Sequence, residues 1–165
     1  MKRRSGMEEL LRIIEKNPKL PLEDLAAMLD QTPEETAKLL DEAEQKGYIR
    51  GYETLVDWEE AGINRVTAFI ELHVTPRKSC GFDEIADDIA AFPEVDSVFL
   101  MSGTYDLMVM LNGKSFQDIA LFVAKRLAPL DDVLSTSTSF LLRTYKRGGR
   151  LYQAQEIDER ECTVL

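Results

Sequence analysis

Apolar residues recur at helical spacing through residues 7–47, then at strand and mixed spacing through residues 66–143. In the first block, Leu10, Leu11, Ile13 and Ile14 give one face of a short helix that ends before Asn17-Pro18. Pro21, at a first-turn position, opens a second helix with Leu22, Leu25, Ala26 and Leu29 as its inner stripe. Asp30-Gln31 is a tight break. Thr32-Pro33-Glu34-Glu35 starts a third helix, with Thr32 as N-cap and Glu35 three residues on to close a capping box. Thr36, Leu39, Leu40 and Ala43 face inward, and Gly47 stops the helix after Lys46. Three short helices with a break before the third predict a helix-turn-helix. Tyr48–Asp57 reads as an extended strand, which completes a winged form.

The second block reads strand, helix, strand, strand, helix, strand. Val66–Val74 is β-rich, and Pro76–Gly81 is a loop. Phe82–Phe92 is an amphipathic helix with Phe82, Ile85, Ala86, Ile89 and Phe92 inward; its acidic residues form a solvated face. Val95–Ser102 and Leu107–Leu111 form a hairpin across the Gly103-Thr104-Tyr105-Asp106 turn, and Asn112-Gly113 breaks the return strand. Ser115 caps a helix that runs through Leu127, and Val133–Arg143 is the last strand. The order βαββαβ predicts a ferredoxin-like antiparallel sheet with two helices on one face. The fold class is therefore α+β, with a reader unit over 7–56, a sheet unit over 64–147 and a polar tail from Gly148.

Composition narrows the function classes. At 44% hydrophobic and 30% charged residues the chain is globular rather than disordered. No apolar run is long enough to cross a bilayer, and the basic Met1–Gly6 stretch lacks the h-region of a secretory signal. Cys80 and Cys162 have no metal-like spacing, and two distant cysteines fit a reducing cytoplasm. His73 is the only histidine and has no Ser or Cys beside it to activate. With no nucleophile–base pair, metal spacing or phosphate loop, an enzyme is disfavoured and no cofactor is implied.

Charge opposes part of the pattern. The net charge is −10, and residues 7–56 hold six basic residues against twelve acidic ones. In a helix-turn-helix the third element lies in the major groove of duplex DNA. The residues on that side are Gln31, Thr32, Glu34, Glu35 and Lys38, followed by Asp41, Glu42 and Gln45, with Lys46 and Arg50 as further cations. Lys38 is a clear phosphate partner, whereas Asp41 and Glu42 repel the backbone. Two readings stay open: a DNA reader, and a helical module that binds protein.

Gly47-Tyr48-Ile49-Arg50-Gly51-Tyr52, a few extended residues and Asp57-Trp58-Glu59-Glu60-Ala61-Gly62 resemble the segment after the reading helix in the Lrp/AsnC family. Phe92-Pro93-Glu94-Val95, Ser102-Gly103-Thr104-Tyr105-Asp106-Leu107 and Val133-Leu134-Ser135-Thr136-Ser137-Thr138 resemble stretches of that family's effector domain, called RAM. In order and spacing the resemblance covers about residues 7–147. It implies a cytoplasmic transcription regulator that responds to a small amino acid, dimerises through its sheet and assembles further, often to an octamer. It departs from the family at Leu39, where Arg is frequent, and at Asp41 and Glu42.

Family effectors bind near the hairpin, which points to Gly103, Thr104, Tyr105 and Asp106, with Thr136 and Thr138 on a neighbouring strand. Glycine permits close backbone approach, and an Asp carboxylate pairs with an α-ammonium group. Gly103 and Asp106 also suit a plain turn, so the ligand and turn readings stand side by side. Val66, Ala68, Ile70, Leu72, Val109 and Leu111 form a face that predicts a partner copy.

Overall fold

The computed structural model describes residues 6–77 and 81–152. The two cysteines, the loop residues Lys78 and Ser79, the N-terminal cations Lys2, Arg3 and Arg4, and the tail beyond Tyr152 lie outside the described residues. The chain divides into two compact units between Thr54 and Leu55.

The first unit contains helices α1 (Gly6–Lys16), α2 (Leu22–Leu29) and α3 (Pro33–Gln45). Leu10, Ile14, Leu25 and Ala43 form its buried centre, with Leu11, Leu39, Leu40 and Ile49 packed around them. The α2–α3 break is built by Asp30 in the left-handed region at φ 55°. Its N–H donates to Ala27 O at 3.4 Å, and the Gln31 N–H donates to Ala26 O at 3.0 Å, so the last carbonyls of α2 are satisfied. A short polar Asp is among the few non-glycine residues that adopt this backbone readily. Gly47, at φ 68°, ends α3 in the same way: its N–H reaches Glu44 O and that of Tyr48 reaches Ala43 O, both at 2.9 Å.

Residues 48–57 do not form the expected strand. A strand exists only through a neighbour's ladder, and no described segment pairs with this one. A capped turn follows: Asp57 Oδ1 accepts the Glu60 N–H at 3.1 Å, and Gly62, at φ 70°, closes it.

The second unit is built on strands β1 (Val66–Val74), β2 (Val95–Leu100), β3 (Leu107–Gly113) and β4 (Val133–Phe140). They form an antiparallel sheet in the order β2-β3-β1-β4. Helices α4 (Asp83–Ala90) and α5 (Phe116–Phe122), the latter continued by a π-helical turn at Val123–Leu127, cover one face. Ser115 caps α5 by accepting the Asp118 N–H at 3.1 Å. Asn112-Gly113 stays in β3 rather than breaking it: Gly113 pairs with Val66, and Asn112 accepts the Thr67 hydroxyl at 2.8 Å.

The face predicted to await a partner is instead the core. Ala68, Ile70, Leu72, Val109 and Leu111 are all buried beneath the helices with Ile85, Ile89, Ile119 and Leu127. Each fully buried Leu or Ile contributes roughly 1.5–3 kcal/mol, so this face holds the unit together. The open face is the other one, where Phe69 lies opposite Met110 and Phe99 opposite Met108.

Where the polar tail was expected to begin, the described residues form a hairpin of β5 (Lys146–Arg147) and β6 (Arg150–Leu151). Gly148 and Gly149 turn it at φ 54° and 78°. Two successive positive φ values match the right-handed twist of a two-residue hairpin.

Candidate functional site

The turn before β3 is fixed by four groups. Met101 N–H donates to Asp106 O at 2.8 Å, and Asp106 N–H donates to Leu72 O at 3.0 Å. The Asp106 side chain then reaches past the last β1–β3 pair, Leu72 and Leu107, where its Oδ2 accepts the Val74 N–H at 3.0 Å. Val74 points the same way as Leu72, two residues back, and has no β3 residue left to meet. Asp106 thus continues the ladder with a side chain. His73 Nδ1 lies 3.7 Å from the same oxygen, and about a third of the Asp106 side chain (36%) remains exposed.

Gly103 and Thr104 are exposed in this turn, and Tyr105 is half-buried. Thr136 lies opposite Leu72 on the far side of β1, so two strand spacings, about 10 Å, separate it from Leu107. Thr138, opposite Ile70, is two residues farther from the turn. A single copy therefore brings Thr136 to the same end of the sheet as Asp106 without gathering the six residues into one pocket.

The two cavities described lie elsewhere. One, of about 430 Å³, is lined by Arg77, Ile85, Asp88, Leu130, Asp131 and Asp132. The other, of about 290 Å³, lies beside Trp58, Arg65 and Lys114. Arg77 organises the first: Nε donates to Asp132 at 2.8 Å, Nη1 to Glu84 at 3.1 Å and Nη2 to Asp88 at 3.2 Å. The Asp132 bond, with Glu84 next, raises the guanidinium pKa still further. This clamp ties the end of β1 to α4 and to the start of β4. The acidic face of α4 is therefore partly engaged and not simply solvated, because the i, i+4 spacing of Glu84 and Asp88 sets both carboxylates toward one cation. The sequence carries no local signal for it.

In the first unit, Thr32 and Glu35 hold each other. The Glu35 N–H donates to Thr32 Oγ1 at 3.2 Å, and Glu35 Oε2 accepts the Thr32 N–H at 3.0 Å. That backbone bond, and then the Thr32 hydroxyl, hold the Glu35 carboxyl below its ordinary pKa. These two residues cap α3; both are exposed, and their polar groups are engaged with each other. Gln31 is half-buried and faces the Thr36 hydroxyl at 3.5 Å.

Glu34, Lys38, Asp41 and Gln45 are exposed along one side of α3. Lys46 bonds Glu42 at 2.6 Å, which raises its pKa and offsets the charge it was expected to offer a phosphate. Arg50 folds back beside Gly47. Tyr52, missed in the sequence, donates to Glu44 at 2.6 Å and ties the extended segment back to α3. That bond pushes its phenol up to about 12.

Comparison with known proteins bears on both units. The family described as Lrp/AsnC ligand binding domain matches residues 67–151. The HTH-type transcriptional regulator YugG of Bacillus subtilis is 40% identical over 153 residues, which cover 92% of each chain. LrpA of Pyrococcus abyssi is 24% identical over 83% of this chain and 94% of its own. The crystal structure of a Neisseria meningitidis transcriptional regulator in complex with L-Met superposes with a TM-score of 0.69 at 23% identity, covering 88% of this chain and 94% of that one. Escherichia coli AsnC gives 0.66 at 18%, covering 89% and 97%. The two structural likenesses concern the fold, but the match over the sheet unit and the 40% identity over nearly the whole chain reach further. With a helix-turn-helix followed by a βαββαβ sheet in the same order, this chain belongs to the Lrp/AsnC family of HTH-type transcriptional regulators.

Proposed function

We propose that this regulator is cytoplasmic, reads duplex DNA through residues 7–56 and takes a small amino acid at contacts between sheet units spanning 64–147. Asp106 carries the ligand reading. One carboxylate oxygen completes the ladder, while Oδ1 takes no hydrogen bond among the described residues and is the group that would receive an ammonium. Gly103 beside it leaves room for close approach, since a Cβ built there meets nothing within 4 Å. The shallow turn favours a site completed by a second copy, with Thr136 and Thr138 at its margin. The Neisseria relative's complex with L-Met makes methionine the first ligand to try.

The open face supports the dimer. Phe69, Met108, Met110 and Phe99 are apolar and lie away from the helices, a surface suited to a second copy; further assembly to an octamer follows the family pattern. Thermal-shift screening against the common amino acids tests the ligand reading. A ligand present at about 100 times its Kd stabilises the native state by about 2.7 kcal/mol. No shift with any amino acid contradicts it.

A second reading, a sensing module whose helices bind protein and not DNA, is favoured by one observation. The outward side of α3 carries Glu34, Asp41 and Glu42 against Lys38, with Lys46 already paired. Salt-dependent binding to duplex DNA separates the two readings.

A further inference from the structure

The acidic reading helix raises the question of where this protein finds its cations. Residues 141–152 answer it: Arg143, Lys146, Arg147 and Arg150 stand in twelve residues without a single carboxylate, in a chain of net charge −10. The fold shapes this stretch into the β5–β6 hairpin. Arg147 lies directly opposite Arg150, and Lys146 opposite Leu151. The pairing gathers these basic side chains at one end of the hairpin. Arg147 and Arg150 also make contacts within the chain, so the inference uses their charge and needs no vacant bond.

The hairpin is held in shape. The Gly148-Gly149 turn sets its twist, and the Tyr152 N–H donates to Tyr145 O at 3.1 Å to lengthen the ladder. A Cβ placed on Gly148 would come within 2.8 Å of Leu55 Cδ1, so the tip rests on that side chain. Tyr145 is exposed beneath the Arg143 guanidinium, 5.8 Å from its ring centre. Basic side chains beside an exposed tyrosine suit a phosphate backbone.

We infer that the Lys146–Leu151 hairpin is a second duplex-DNA contact, a basic ribbon that grips phosphates and supplies the attraction the reading helix lacks. This rests on the proposed DNA-reading function. Leu55, under the tip, is the first residue of the second unit, one peptide bond after Thr54. Ribbon and reader are tethered, so engagement of one raises the effective concentration of the other on the same duplex.

Fluorescence anisotropy of a long random-sequence duplex, titrated with the full chain at several salt concentrations, tests the ribbon. The variant Lys146→Gln/Arg150→Gln should flatten the slope of log affinity against log salt by about 1.8 per protomer, about 0.9 for each lost contact. Lys146→Arg/Arg150→Lys, which keeps both charges, should retain the slope, and Lys125→Gln, on the π-helical turn, should leave it unchanged. Circular dichroism checks that each variant folds. If the wild type shows no salt-dependent binding, the DNA reading itself falls, and the ribbon with it. If the wild type binds and the double Gln variant keeps its slope, the ribbon inference alone is overturned. A double Gln variant that loses its oligomeric mass by light scattering also overturns it, because the hairpin is then a contact between copies.

Discussion

The Asp106 carboxylate accepts the Val74 N–H at 3.0 Å, just beyond the last backbone pair of the β1–β3 ladder. One side chain therefore has a structural duty on one oxygen and a free edge on the other. Its substitutions separate folding from ligand binding.

Asp106→Ala removes both the acceptor and the charge. A hydrogen bond to a charged group is worth about 1.5–3 kcal/mol, and partial exposure places this one toward the lower end. Asp106→Asn keeps an oxygen for Val74 and should cost far less in urea unfolding. Both variants lose the partner of an ammonium, so calorimetry should show affinity for the amino acid falling roughly 10- to 150-fold. An Asn variant that binds like the wild type moves the site elsewhere.

The Tyr52–Glu44 bond carries its own pH dependence. The folded phenol, at about 12, lies above its ordinary value of 10.0, because only the neutral hydroxyl can donate to Glu44. A raised folded pKa means stability that is fully present below pH 10 and lost as pH rises through about 12. Following tyrosinate absorbance, one of the five tyrosines should titrate late, and Tyr52→Phe should abolish that step. An unchanged profile in the variant contradicts the assignment.

The open sheet face predicts the oligomer. Met110, opposite Phe69 and beside Ser97, lies outside the helix-covered core. Met110→Asp should therefore leave the protomer folded and lower the mass seen by light scattering. A wild type that is monomeric at micromolar concentration refutes the dimer.

Much of this architecture was legible because its causes are local. The Thr32/Glu35 box, the Gly47 stop and the Ser115 cap each lie within a few residues of the groups they satisfy, so helix ends could be read directly. Errors came where partners are distant. Asn112-Gly113 has the residues of a turn, yet Thr67 and Val66 hold it in β3. Residues 48–57 have strand composition but no ladder. Alternation in β1 marked the Ala68, Ile70 and Leu72 side as the apolar face but could not say what would cover it; the chain's own helices do, and Phe69 is left on the other face. Gly148-Gly149 is a hairpin signal, but its flanks are charged where apolar alternation is expected. For the candidate ligand turn, the sequence indicated Asp106 without its bond to Val74, which depends on where the ladder runs out.

The reading helix makes an electrostatic prediction. Asp41→Lys and Glu42→Lys should each strengthen binding to any duplex, the second also releasing Lys46 from its pair. Each added phosphate contact steepens the salt slope by about 0.9. If these reversals abolish preference for a particular sequence, the carboxylates accept from cytosine amino groups and the electrostatic account of α3 is wrong.

The central claim, that ligand and DNA are linked through one protein, is tested most directly by titrating the full chain into a labelled duplex with and without each common amino acid, methionine first. The account predicts salt-dependent binding whose affinity at least one amino acid changes about 5-fold or more, the usual range of coupling between sites. Binding that no amino acid alters, or no binding at all, would contradict it.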